Sequence, residues 1–256
     1  MSDLKLWSGK KKKLLRPTTL DVKAFAQWLK EYGSTVLGLT IIANHYLINN
    51  EPNNVIEFLA LDENKQVVVV EQRRGKYGQI IGKGLMHLDY IKERPSEFKL
   101  LVADAGIDPN HVTWTPRLLI IGDDFNEYDQ YAIRPLPYPI ELIKVIRLED
   151  DWMLFEKCFV SKKTQEYQFH PECSESERML FQELIQMVLS LGDEVVGTGI
   201  HAQYTFRKMK NFMMINTAHS LEVTLLHEPE AKSFLVKTMS DLDKLFPLIE
   251  AIYDAN

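Results

Sequence analysis

The sequence predicts an α/β protein: a mixed sheet flanked by helices, followed by a small α+β domain. Three observations carry this. Short β-branched runs alternate with segments of helical apolar period up to about residue 160. Two of those runs, Val55 to Leu61 and Gln66 to Glu71, flank Asp62-Glu-Asn-Lys65, whose residue types make a turn and hence a hairpin. From Ser161 to Ser176 the chain becomes polar and aperiodic around Pro171, which marks a linker before a second patterned stretch. With 256 residues, 45% of them hydrophobic, there is material for two modest domains.

Residues 1–17 read as a basic tail. The first sixteen carry six basic side chains and one acidic one, and Lys10 to Lys13 with Arg16 form a cluster of the kind that contacts phosphates, although a solvated tail or edge strand has the same composition. A helix is expected over about 19–32, then strands near 39–48, 54–61 and 66–73. Next comes a helix near 77–94, with Ile81, Leu85 and Leu88 on its buried face and Gly75, Gly78, Gly82 and Gly84 letting the chain start it close to the sheet. A helix at 96–106, a strand at 112–121, a helix at 124–134 capped by Asp123-Asp124, and strands at 139–149 and 152–159 complete the domain. In the second domain, Leu180, Leu184, Met187 and Val188 mark a helix over Glu177 to Leu191 that Gly192 is placed to stop. Strands follow at 200–207, 211–218 and 221–227, with Gly197-Thr-Gly199 as a turn and a closing helix from Ser240 to Tyr253. Tyr204, Phe206 and Arg207, with Lys208 and Lys210, are either a stacking clamp for single-stranded nucleic acid or one sheet face with a basic rim.

The hairpin carries the chemistry. Symmetry about Asn64 sets Leu61 against Val67, Leu59 against Val69 and Glu57 against Glu71, and the two-residue period puts Arg73 on the same face. Two carboxylates directly across a strand pair lie roughly 5 Å apart at Cβ and repel each other unless compensated. A divalent cation, a shared proton or Arg73 would compensate them. One or two carboxylates with water and substrate phosphate are a sensible set for Mg²⁺, whereas the ordinary alternative is an edge-of-sheet salt bridge.

Four stretches, Gln27 to Leu39, Ile56-Glu-Phe-Leu-Ala-Leu-Asp62, Val67-Val-Val-Val-Glu-Gln-Arg-Arg-Gly75 and Ile81 to Tyr90, resemble the PD-(D/E)xK nuclease superfamily, most of all its NucS and RecB-like nuclease domains. Trp114 to Gly122 and Ile140 to Arg147 extend the likeness to about residues 18–160. The resemblance implies a restriction-endonuclease-like sheet and hydrolysis of phosphodiester bonds, with Mg²⁺ or Mn²⁺ held by Glu57 and Glu71. The catalytic group would be Glu57, Glu71, Arg73 and Lys83, and the nucleic-acid contacts Arg73, Arg74, Lys76 and Lys83. The family has aspartate, glutamate and lysine where this chain has Glu57, Glu71 and Arg73, and often glutamine where it has Lys83. A guanidinium keeps the charge and binds phosphate bidentately but cannot deprotonate, so an inactive nuclease-fold binding module is the alternative. The implied partner is nucleic acid, DNA first, and relatives that pair two such domains suggest a homodimer. The second domain resembles an uncharacterised family often joined to nuclease-like domains, through Tyr204-Thr-Phe-Arg-Lys and Asp241-Leu-Asp-Lys-Leu.

Other classes are disfavoured. No apolar run approaches the roughly 18 residues of a membrane span and no signal-peptide core is visible, so a cytoplasmic protein is expected. Cys158 and Cys173 read as free thiols, and His170-Pro-Glu-Cys173 is half a zinc spacing without its other half. Gly78-xxx-Gly82-Lys83 is one residue short of a phosphate loop, and Gly84 stands where a Ser or Thr should be. The formal charge of −6 argues against a simple electrostatic DNA clamp, while Arg73, Arg74, Lys76 and Lys83 make one local basic patch.

Overall fold

The structure is a computed structural model that describes residues 5–19, 21–49, 51, 54–73, 79–161, 174–200, 202–227 and 230–256. Arg74, Lys76, His170 and Cys173, and the linker over 162–173, lie outside the described residues. The chain divides into two compact units, Met1–Thr35 with Leu39–Ser161, and Val36–Gly38 with Lys162–Asn256.

The first unit opens with a correction. The basic tail contains a β-hairpin, β1 (Leu6–Ser8) and β2 (Lys13–Leu15), in which Trp7 pairs with Leu14 and Leu6 with Leu15. Lys12 takes the left-handed conformation in its turn. The hairpin is tied down because Lys13 Nζ donates to Glu149 at 2.8 Å and Lys11 to Asp150. Those hydrogen bonds push the Lys13 ammonium up and hold the carboxyls of Glu149 and Asp150 below their ordinary range.

There follow β3 (Pro17–Thr18), α1 (Val22–Leu37), β4 (Thr40–Leu47), β5 (Val55–Leu61), β6 (Gln66–Gln72), α2 (Ile80–Glu93), α3 (Pro95–Asp104), β7 (Thr113–Gly122), α4 (Glu127–Ile133), β8 (Ile140–Leu148) and β9 (Met153–Val160). The sheet runs β3-β8-β7-β6-β5-β4, with β9 also on β8. β6, β7 and β8 are parallel and the other pairs antiparallel. The expected mixed sheet with flanking helices is therefore present.

Leu59, Leu61, Val67 and Val69 alternate onto one face, where they join Leu118 and Ile120 and pack against Leu88 and Ile91 of α2, Phe98 of α3 and Ile133 of α4. Phe58, Ala60, Val68, Val70 and Leu119 point the other way and are buried too. Strands buried on both faces read as continuous apolar runs, which is how β6 reads. On β9, Phe155 stacks against Trp28 of α1 at 5.0 Å. The turn after β5 is made by Asp62, whose Oδ1 accepts from the backbone N–H groups of Asn64 and Gln66.

Two local expectations change. The cap of α4 is Asn126, in a reciprocal box with Asp129, because Asn126 has the extended backbone that lets its side chain accept from the Asp129 N–H. Asp124 instead pairs with Lys144 at 3.7 Å. The buried residues of α2 are Gly84, His87, Leu88 and Ile91, while Ile81 and Leu85 are half-buried.

The second unit is α5 (Glu175–Leu189), an antiparallel five-stranded sheet and α6 (Met239–Ala255). The strands are β10 (Val196–Ile200), β11 (Gln203–Arg207), β12 (Asn211–Asn216), β13 (Glu222–Leu225) and β14 (Lys232–Leu235). Gly197-Thr-Gly199 is strand rather than turn, Gly199 pairing with Tyr204 and Gly197 with Phe206, and β14 is an addition to the expected set. Tyr204, Phe206 and Arg207 are buried, so they are not a stacking clamp, and Lys208 sits over the Tyr253 ring at 4.4 Å. The α5 helix ends before Gly192, at a cap on Ser190. Gly192 instead gives room to the Tyr253 hydroxyl, which donates to Glu194; burial first, and then that bond, raise the phenol. Among the described residues no helix is long and apolar enough to cross a membrane.

Candidate functional site

The sequence register of the hairpin holds: Leu61 pairs with Val67, Leu59 with Val69 and Phe58 with Val70. The next step along both strands brings Glu57 and Glu71 to the end of the sheet where β6 and β7 finish. Open α/β sheets bind ligands at such carboxyl ends. Both carboxylates are buried, and Glu71 has no exposed surface.

An ionised carboxylate in that position must be matched by donors, since an unpaired buried charge is very costly. Helix α2 supplies them. Lys83 and His87 are four residues apart and so share one helix face. Lys83 Nζ donates to Glu71 Oε2 at 2.8 Å and lies 3.9 Å from Glu57 Oε1. His87 Nδ1 is hydrogen-bonded with Glu71 Oε1 at 2.7 Å, while its Nε2 lies 3.4 Å from Asn54 Oδ1. Glu57 Oε2 accepts from the Gln72 backbone N–H at 3.1 Å. This approach needs the glycine at 84: a Cβ there would meet Leu118 Cδ2 at 2.5 Å. Gly84 lets α2 lie on β7, and the close contact brings Lys83 and His87 to Glu71.

Arg73 takes a different course from the one expected. Its guanidinium pairs with Asp129 of α4 at 2.5 Å and lies over the Phe125 ring at 5.4 Å. The main chain turns it there, because the Arg73 N–H donates to Ile121 O and Gly122 leaves the Arg73 stem room to pass. Thus the structure joins Glu57, Glu71 and Lys83 in one cluster, with Arg73 extended to its side. His87, Asn54 and Asp129 are additions that the sequence reading missed. The spacing of Lys83 and His87 was the available signal for His87; Asn54 and Asp129 come from a strand end and a helix start that carry no motif.

The donor chemistry suits a divalent ion in one respect. Glu57 and Glu71 present hard carboxylate oxygens on adjacent strands, and Mg²⁺ needs few protein ligands beyond such a pair. Among the described residues no group of three or more His, Cys, Asp or Glu is placed to hold a metal.

A second buried ion cluster occupies the other end of the strands. Arg117 pairs with Asp62 at 3.1 Å and with Glu141 at 2.7 Å, and Lys157 pairs with Glu141 at 2.8 Å. Its charges alternate and are closely hydrogen-bonded, which marks it as structural. No protein-family model, curated protein or solved structure matches the chain.

Proposed function

We propose that the first unit is a restriction-endonuclease-like, DNA-binding protein that hydrolyses phosphodiester bonds with Mg²⁺ or Mn²⁺ held by Glu57 and Glu71. The observation that carries the reading is the partly exposed Lys83 ammonium, 2.8 Å from Glu71 and 3.9 Å from Glu57 at the carboxyl end of the sheet. A bound divalent ion supplies a more acidic attacking water and charge opposite the phosphate oxygens. An ammonium has three donors, so Lys83 holds Glu71 with one and offers the others to a non-bridging phosphate oxygen. His87, wholly buried, keeps Glu71 oriented, and the Gln72 N–H does the same for Glu57. Arg73 helps through Asp129, fixing α4 beside the site.

One observation favours an inactive binding module instead: the two carboxylates are already hydrogen-bonded with the Gln72 N–H, Lys83 and His87, so the cluster is satisfied by protein partners. Labelled single-stranded, duplex and forked DNA incubated with Mn²⁺ or Mg²⁺ separates the two. Hydrolysis predicts metal-dependent cutting that falls on the order of 100-fold or more in Glu71→Gln and Lys83→Ala, with Mn²⁺ binding lost in Glu71→Gln. An inactive module predicts no cutting, no Mn²⁺ affinity and only a stability loss in Glu71→Gln.

A further inference from the structure

We infer that the β1–β2 hairpin is a second nucleic-acid contact, gripping a single strand by its phosphates and stacking a base on Trp7. Residues 5–16 hold Lys5, Lys10, Lys11, Lys12, Lys13 and Arg16 and no acidic residue, in a chain of formal charge −6. Lys11 and Lys13 are spent on Asp150 and Glu149, which anchors the hairpin to the loop after β8. Lys10 and Lys12 stand exposed in the turn. The hairpin alternates as a half-buried ribbon does: Leu6 and Leu15 face inward, while the cross-strand pair Trp7 and Leu14 is 59% and 49% exposed. An aromatic ring and an aliphatic side chain beside unspent cations match a strand that offers a base and a phosphate at once. Charge complementarity is what commits this apolar pair to nucleic acid.

Its place in the sheet agrees. Arg147 of β8 pairs with Met153 of β9 on one side, so Thr18 of β3 must pair with it on the other. That side belongs to β7 until β7 ends opposite Lys144. β3 therefore continues the line of β7, and the hairpin rises from the same end of the sheet as Glu71 and Lys83. Glu71 is level with Ile120 and Leu142, whereas β3 meets Arg147 and Leu148. At about 3.3 Å per residue the offset from Glu71 to β3, at the base of the hairpin, is roughly 20 Å, a distance that an extended single strand spans with a few nucleotides. One strand can reach both places.

The inference names part of the substrate surface of the proposed site, yet its test does not use cleavage. Binding of the full chain, without divalent metal, to a labelled oligothymidylate of about 20 nucleotides and to a duplex of similar length is followed by anisotropy over a salt series. Each phosphate contact to a single strand contributes about 0.7 to the slope of log K against log salt, so Lys10→Ala with Lys12→Asn lowers the slope by about 1.4. Asn is chosen because it tolerates the left-handed backbone of Lys12. Trp7→Ala weakens the oligothymidylate about 5- to 150-fold and leaves the duplex unchanged. An unaltered slope, an unaltered single-strand affinity in Trp7→Ala, or binding of anionic phosphatidylserine vesicles in place of DNA would each overturn it. A wild type that binds in this way but never cuts would refute hydrolysis and leave the hairpin contact standing.

Discussion

Glu71 has no exposed surface, yet it keeps hydrogen bonds with Lys83 and His87, and Arg117 does the mirror of this for two acids. Arg117 lies between the buried carboxylates of Asp62 and Glu141, with Lys157 beyond. Removing one member of such a set leaves uncompensated buried charge. Arg117→Met is expected to lower stability by about 3–5 kcal/mol in urea unfolding, despite similar side-chain length and apolar character. A loss under about 1 kcal/mol would show that water reaches the cluster. At this scale the sequence was half legible. The two-residue period of a strand was enough to set Leu61 against Val67 and Leu59 against Val69, because a hairpin turn fixes its own register. The partners of Arg73 and Arg117 were not, since Asp129 and Glu141 are distant in sequence and only tertiary packing brings them near.

Helix α2 shows why an element can be found and its face misread. Its limits were close to those expected, but apolar spacing put Ile81, Leu85 and Leu88 inward, whereas the buried line also takes Gly84 and His87. A histidine with two hydrogen-bond partners and a glycine against Leu118 are core residues without looking apolar. Two glycines of the same helix provide the check. Replacing Gly by Ala in a helix gains about 1 kcal/mol from propensity. At Gly82, where an added Cβ meets nothing within 4 Å among the described residues, Gly82→Ala should gain up to that amount. At Gly84 the Cβ runs into Leu118, and overpacking of about 1–3 kcal/mol outweighs the gain. Denaturant midpoints that rise for Gly82→Ala and fall for Gly84→Ala are expected; equal midpoints would mean that α2 does not need its close approach to β7.

Each of the two units has its own core: Leu88, Phe98, Leu118 and Ile120 belong to one, and Phe181, Phe206, Phe212 and Ile249 to the other. A fragment of residues 1–161 and one of 174–256 should therefore each fold alone, with cooperative thermal transitions followed by circular dichroism. A non-cooperative 174–256 fragment would show that its five strands and two helices depend on the rest of the chain. In the sequence the signal for a division is the polar run after Ser161, which carries no apolar period. The strand pairings β3–β8 and β6–β7, in contrast, join residues with no local relation, and they convert a basic tail into an anchored hairpin at the site's end of the sheet. By itself the sequence determined the α/β class, the mixed sheet with its flanking helices and the register of the β5–β6 hairpin, all of which follow from short-range period and turn chemistry. Only the tertiary structure decided that Lys83 and His87, rather than Arg73, close on Glu71, because which charges meet in a buried site depends on how closely a helix can approach a sheet, and here Gly84 sets that distance.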